Sequence, residues 1–222
     1  MDEKNIKDVL RAFDDSRYML EQLIAGITTF FIKNPEVAPY VHTVKSRIKD
    51  SSHLADKVLR KLEKGKIITK DNLFDTITDL AGVRILHLYP KEFDIIHRCL
   101  MKTVDSGQWK LYEQPVAYTW DPESKAHFEK FGLQTELRDT YYTSIHYVIR
   151  PNNQMQNAPW CEVQVRTLFE EIWGEIDHRI NYPHPTEILA CKEQLRVLSK
   201  LVSTGTRLAD SIYNCYQESK ND

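Results

Sequence analysis

The stretch Cys161–His178, "CEVQVRTLFEEIWGEIDH", opens as a strand and ends as a helix. In its first part Glu162, Gln164 and Arg166 alternate with Val163 and Val165. Successive side chains of an extended chain point to opposite faces, so the valines share a core face and the three polar residues share the other. That second face is either a solvated sheet surface or the floor of a polar site, and the alternation alone leaves both readings open.

Working outward, "YYTSIHYVI" reads as a second strand, linked to the first through the turn-rich "RPNNQMQNAP". "DLAGVRILHLY" is a third, with Val83, Ile85 and Leu88 on its buried side. "WKLYEQPVAYTW" is a strand broken or held at an edge by Pro115, and "YVHTVKSRIK" (Tyr40–Lys49) is the fifth candidate. Helical spacing from Ile6 through Phe13, Leu20 and Ile27 to Phe31 predicts one long N-terminal helix closed near Asn34-Pro35. Ser51 or Ser52 caps a helix running to about Lys64, with Leu54, Val58 and Leu62 inward and Gly65 at its end. Further helices are expected near Leu73–Thr78 and from Pro90 to about Thr103, and the charged segment Asp121–Thr140 is expected to be a mobile loop. "YPHPTE" terminates the helix of the opening stretch, and Trp173 within that helix belongs to the core. Beyond Pro185 a helix with an apolar stripe of Leu189, Leu195, Leu198, Leu201 and Val202 is expected to pack on its own sheet. The sum is an α+β domain: a mixed β-sheet of about five strands flanked by helices. The whole chain, 1–222, forms one domain, with an N-terminal helix over 1–35, a core over 40–182 and C-terminal helices over 185–218.

The 222 residues suit one substantial core. The 30 Lys plus Arg nearly balance 32 Asp plus Glu, yet Lys45–Lys70 carries about +6 and leaves about −8 elsewhere. A basic block in an acidic protein suits an anionic ligand held locally, and equally suits a solvated helix face. Cys99, Cys161, Cys191 and Cys215 are scattered without zinc spacing, which points to free thiols and a reducing cytoplasm. The first thirty residues are rich in acids and hold no continuous apolar run, so a soluble protein without signal peptide or membrane span is expected.

Three charged groupings lie on strands or strand ends: Arg47 with Lys49, Asp79 with Arg84, and Glu162 with Gln164 and Arg166. Two carboxylates and several cations are what magnesium-dependent phosphoryl transfer needs, the carboxylates holding the metal and the cations neutralising phosphate. The same residues could equally form surface ion pairs.

The order of "SRIKDSSHLADKVLRK", "DLAGVRI", "YTSIH" and "EVQVRTLFEEIWGEIDHRINY" resembles the synthetase domain of the RelA/SpoT family, in particular its single-domain small alarmone synthetases. The resemblance runs from about Lys45 to Tyr182. It implies a nucleotidyltransferase-like fold and transfer of the β,γ-pyrophosphate of ATP to a nucleotide 3′-hydroxyl, with release of AMP and Mg2+ as cofactor. It implies that Arg47 and Arg84 sandwich the adenine, a task for planar guanidinium groups, and that Lys49, Lys57 and Arg60 neutralise donor phosphates. Asp79 and Glu162 match the metal-binding carboxylates, and Glu162 is placed to accept the hydroxyl proton. Ser52 lies one residue before the family's usual serine and is read as a helix cap. On the acceptor side Tyr142, Ser144 and His146 keep the family's pattern, with Gln164 and Arg166 orienting substrate from the strand. Thr143 lacks the usual charge, Tyr141 stands where a glycine is usual, and Arg138 partly substitutes for a common lysine. Glu171 occupies the position of an Asn or Asp near the guanine edge, where a carboxylate still accepts from guanine N1 and N2 hydrogens. His178 reads as a hydrogen-bonded helix residue, and His53, His87, His97, His127 and His184 carry no motif.

The resemblance implies GDP or GTP as acceptor and (p)ppGpp as product. The lost charge at Thr143 and the basic block also fit the toxic small synthetases that pyrophosphorylate the 3′ end of tRNA, and an adenine nucleotide is a further acceptor. A nucleotide-binding sensor module is the non-enzymatic alternative, opposed by the retained Asp79, Glu162, Arg47 and Arg84. Homo-oligomers through terminal helices and an antitoxin partner are implied by the same kinship.

Overall fold

A computed structural model describes residues 3–152, 157–182 and 184–220. Part of the "RPNNQMQNAP" link (153–156) and Pro183 of "YPHPTE" lie outside the described residues.

The expected long N-terminal helix is two helices, α1 (Glu3–Asp15) and α2 (Arg17–Lys33). The break falls at Ser16, whose hydroxyl donates to the Ala12 carbonyl at 2.7 Å while its amide donates to the Phe13 carbonyl at 3.1 Å. A side-chain hydroxyl competing for the helix carbonyls tightens the turn and redirects the axis. A short 3-10 turn, Ala38–Tyr40, delays the next strand, so β1 is Thr43–Ile48. Helix α3 (Ser51–Glu63) begins after Asp50, which is its N-cap in place of the expected Ser51 or Ser52. Ser51 is turned instead toward Asp14 on α1, donating at 3.1 Å, and Ser52 is an exposed residue inside the first turn. Gly65 ends the helix region at φ 76°, a conformation that costs glycine little.

After the single turn α4 (Leu73–Thr76) come β2 (Ala81–His87) and α5 (Glu92–Asp105). Val83 and Ile85 are buried as expected, but Leu88 falls beyond the strand end and is exposed. "WKLYEQPVAYTW" yields two strands, β3 (Trp109–Leu111) and β4 (Val116–Thr119), both antiparallel to β6 (Ser144–Pro151). Pro115 between them has no amide hydrogen to give a ladder, so one run divides along one partner. The expected mobile loop is ordered structure: α6 (Pro122–Glu129) and β5 (Gln134–Leu137), the latter parallel to β4. Strand β7 (Cys161–Thr167) runs directly into α7 (Leu168–Asn181), and α8 (Leu189–Glu218) closes the chain.

Among the described residues the strands form one mixed seven-stranded sheet, ordered β1-β2-β7-β6-β4-β5 with β3 beside β6. Seven strands replace the five expected because one candidate divides and the charged segment supplies another. One face is apolar: Val83, Ile85, Val163, Val165, Ile145 and Tyr147 are almost fully buried there. Helix α2 packs on β1 and β2 through Leu20, Leu23, Ile27 and Phe31. Each such aliphatic or aromatic side chain contributes about 1.5–3 kcal/mol by leaving water, which fixes the sheet and leaves its other face free to carry charge. Trp173 is core, as expected, and donates from Nε1 to the Leu195 carbonyl at 3.1 Å, tying α7 to α8. No described helix is long and apolar enough to cross a membrane, and among the described residues the four cysteines are free thiols.

Candidate active site

Register places the polar residues in rows across the opposite sheet face. Arg47 on β1 is opposite Gly82 on β2, and Gly82 is opposite Glu162 on β7. The next row is Lys45, Arg84, Gln164 and His146. Neighbouring strands are about 4.8 Å apart, so four strands bring these groups within reach of one small ligand. Over this floor lies a cleft of about 540 Å3. Arg47, Arg84, Tyr142, Glu162, Gln164 and Arg166 line it from the sheet side, and Glu175 and His178 from α7. Arg47 lies along Gly82: a side chain there would meet Arg47 Cγ at 3.6 Å, so glycine keeps the floor low between Arg47 and Glu162.

Glu162 is the centre of a hydrogen-bonded line. Its Oε1 is 3.2 Å from His146 Nδ1, and Gln164 Nε2 donates to its Oε2 at 2.7 Å. The other ring nitrogen of His146 is 2.9 Å from the Tyr142 hydroxyl. Burial pushes the Glu162 carboxyl up and Asp79 adds to this, but His146 and Gln164 outweigh both and hold it below the ordinary glutamate value. Burial raises the Tyr142 phenol, so that group is a neutral hydrogen-bonding partner.

Asp79 precedes β2 and is gripped by Lys57 at 2.7 Å and Lys49 at 3.0 Å. Burial pushes its carboxyl up, and the two ammonium groups more than reverse this. Glu171, 3% exposed, is the hub of a second cluster. One oxygen takes Lys45 at 2.8 Å and Arg84 at 3.2 Å, and the other lies 2.9 Å from Arg166 Nε. Arg84 also reaches Glu175 at 2.7 Å. Helix α7 approaches so closely that a Cβ on Gly174 would come within 2.8 Å of Arg166 Nη1.

Of the residues singled out in the sequence, six line the cleft, and Asp79, Lys49 and Lys57 form one cluster, of which Asp79 acts on Glu162. His146 meets Glu162 directly, and Glu171 holds the cations that frame the cleft. Three residues stand apart. Arg60 is exposed and bonds the Asp56 carbonyl at 3.4 Å. Arg138 is exposed, pairs with Glu136 at 3.3 Å and covers the Tyr118 ring, which in turn abuts His146. Ser144 is fully buried on β6 and does not line the cleft. His178 stacks on Tyr182, with ring centroids 4.6 Å apart.

Sequence reasoning passed over Lys45, Lys61 and Glu175. Glu175 is four residues beyond Glu171, on the same helix face, and that spacing was the available signal. Lys61 stands likewise one turn beyond Lys57; burial first, then Lys66 and Lys57, lower its ammonium pKa, and Asp79 opposes them. Lys45 is recognisable only through its pairing opposite Arg84.

Asp79 and Glu162 are hard oxygen donors of one sign, and Asp79 works against ionisation of Glu162. Such a pair fits Mg2+, which is typically held by one or two carboxylates together with substrate phosphates. A cluster of three or more metal-ligating side chains is absent among the described residues.

Comparison with known proteins adds three findings. The sequence profile described as "Region found in RelA / SpoT proteins" matches residues 46–187. No curated protein sequence matches. Among solved structures, small alarmone synthetase 1 from Bacillus subtilis aligns with TM-score 0.61 at 20% identity, covering 94% of this chain and 96% of that one. The same protein bound to its product pppGpp aligns with TM-score 0.63 at 18% identity, covering 90% and 94%. A GTP pyrophosphokinase family protein from Streptococcus pneumoniae aligns with TM-score 0.63 at 17% identity, covering 98% and 95%. At these identities the likeness is one of fold.

Proposed function

Because this chain belongs to the RelA/SpoT family, we propose that it is an ATP-dependent pyrophosphokinase acting on the 3′-hydroxyl of GDP or GTP to make (p)ppGpp. The observation that carries this reading is Glu162 on the cleft floor, bonded to His146 and Gln164, between Arg47 and Arg84 on one side and Tyr142 on the other.

The reaction divides among these side chains as follows. Arg47 and Arg84 hold the adenine between planar cations. Lys49 and Lys57 exchange part of their hold on Asp79 for the donor phosphates and offset the charge that builds on the leaving AMP. Asp79 and Glu162 would hold Mg2+, which would supply charge neutralisation and alignment of the phosphates. The acceptor 3′-oxygen attacks the β-phosphorus, the bond to the α–β bridging oxygen breaks, and AMP leaves with that electron pair. The hydroxyl proton passes to Glu162, whose carboxylate is held in place by His146, itself bonded to the Tyr142 hydroxyl. A carboxylate held below its ordinary pKa is a weak base, so alignment and charge neutralisation provide most of the rate. Gln164 and Arg166 serve the acceptor half, with Glu171 as a positioning residue that fixes Lys45, Arg84 and Arg166.

A second acceptor, the 3′ end of tRNA, is favoured by one observation. The cations do not end at Asp79 but continue along α3 to Lys61 and on to Lys66, a run suited to a long polyanion. A protein of this kind acts in the cytoplasm, as a homo-oligomer through its terminal helices, and for the tRNA reading under restraint by an antitoxin.

The test is incubation with ATP labelled in its β- or γ-phosphate and GDP, GTP, ATP or deacylated tRNA. Label in GDP or GTP is the expected result; label in tRNA alone removes the alarmone reading, and none with ATP binding intact leaves a sensor. Glu162→Gln should abolish transfer while ATP affinity stays within about threefold, roughly 0.7 kcal/mol. Unchanged turnover in that variant would exclude Glu162 from proton and metal duty.

A further inference from the structure

Helix α7 is held firmly over the cleft: Trp173 is in the core and bonded to α8, and Gly174 lets the helix settle onto Arg166. This approach brings Glu171 and Glu175, one turn apart on one helix face, to Lys45 and Arg84, which are opposite each other on β1 and β2. Both carboxylates reach the same atom of Arg84. Its Nη1 donates to Glu171 Oε1 at 3.2 Å and to Glu175 Oε1 at 2.7 Å.

The two contacts are unlike. Glu171 is shared, with Lys45 and Arg84 meeting on one oxygen and Arg166 lying at the other. Glu175 makes the shorter contact, and Arg84 is the one partner of its carboxylate among the described residues. Burial works against the Arg84 charge, and the two carboxylates more than offset it. Arg84 thus lines the cleft with Nη1 already committed and its charge already compensated. A guanidinium so occupied along its edge still has its planar face to offer an aromatic ring. Arg47, which lines the same cleft from β1, is exposed and enters no ion pair among the described residues.

We propose that Glu175 is a positioning residue of the donor half: it fixes the plane of Arg84, making that guanidinium a preformed platform for the adenine of ATP, on which Arg47 closes from the other side of the ring. This role rests on the pyrophosphokinase reading above. It carries a sign that charge alone does not give. A carboxylate lining a cleft that takes a triphosphate repels it, so on charge alone the loss of Glu175 tightens ATP. As a support for Arg84 its loss loosens ATP, because the guanidinium regains rotamer freedom that each binding event must then remove.

Isothermal titration of the full chain with Mg2+ and either an ATP analogue carrying a methylene α–β bridge or inorganic tripolyphosphate tests this. Glu175→Ala should weaken the ATP analogue about fivefold and leave tripolyphosphate unchanged or slightly tighter, with circular dichroism and Tm unaltered. Glu175→Gln, which keeps an acceptor oxygen for Arg84, should weaken the analogue only about twofold. In turnover the KM for ATP should rise while kcat and the acceptor KM stay within about twofold. Arg84→Lys keeps the charge and lacks the plane, so in that background Glu175→Ala should weaken the analogue no further. Unchanged or tighter binding of the analogue by a folded Glu175→Ala variant, a parallel loss for tripolyphosphate, or an undiminished loss in the Arg84→Lys background overturns the role. A wild-type protein that does not bind the analogue removes the donor reading and this role with it, whereas binding indifferent to Glu175 removes the role alone.

Discussion

At the scale of single residues, two side chains carry more than their sequence neighbours suggest. Tyr141 sits at φ 57°, the left-handed region where an L side chain costs about 1 kcal/mol or more, and it does so where the family resemblance leads one to expect glycine. Its ring contact with Trp120 is the compensation the structure offers. Glu170 is the second. Burial raises its carboxyl from the ordinary 4.5 to about 7, although the amide and hydroxyl of Thr167 pull the other way. The unfolded chain gives up this proton near pH 4.5 while the folded chain keeps it to about 7, so ionisation works against the fold as pH rises through that window. Stability should therefore fall between about pH 4.5 and about pH 7, and Glu170→Gln should flatten that fall by roughly 3–5 °C in Tm. Parallel melting profiles of the two proteins across that range would show that Glu170 is ionised in the fold already. Asp79 and Glu162, both held low, have the opposite sign: their ionised, paired state is favoured above the ordinary carboxylate range and is lost as pH falls through their depressed values.

At the scale of elements, α7 decides most of the site's shape. It starts in a capping box: the Thr167 hydroxyl accepts from the Glu170 amide at 3.2 Å and Glu170 accepts from the Thr167 amide at 2.7 Å. The strand thus turns into the helix within one residue, and Arg166 and Glu171 face each other across the junction. Thr167→Ala should cost about 1 kcal/mol in urea denaturation. It should also raise the acceptor KM more than it lowers kcat, since the loss is one of position. Equal stability of the two proteins would mean that packing alone holds the junction. The charged segment after Trp120 is instructive in the other direction. "DPES" carries a readable helix start, an Asp cap followed by Pro at the first helical position, and Asp121 does accept from the Ser124 amide. Charge density concealed it. The parallel pairing of β5 with β4 had no local signal, because parallel partners are chosen by the sheet.

At the scale of the molecule, one sheet separates the proposed nucleotide cleft from a second cavity, and α8 covers the latter while exposing a face of its own. Leu195 and Val202 turn inward as expected, but Leu189 and Leu201 of the expected stripe are exposed. With Val197, Leu208 and Ile212, Leu201 forms an outward apolar row at helical spacing. Such a row fits the proposed homo-oligomer. Sedimentation should give more than one chain per particle at micromolar concentration, and Leu201→Glu should shift it toward the single chain. A wild-type protein that sediments as one chain would end that proposal. The sequence by itself determined the alternating strands and the helix periods, because period is a local property, and it singled out Asp79, Glu162, Arg47 and Arg84 through the family resemblance of its motifs. Only the tertiary structure decided that Glu162 leans on His146 and that Glu171 gathers Lys45, Arg84 and Arg166. It also decided that Arg60 and Arg138 stand outside the cleft. Those facts depend on register between strands far apart in sequence and on the angle at which α7 leaves the sheet. Neither is encoded in any one segment: the whole core must pack before either is fixed.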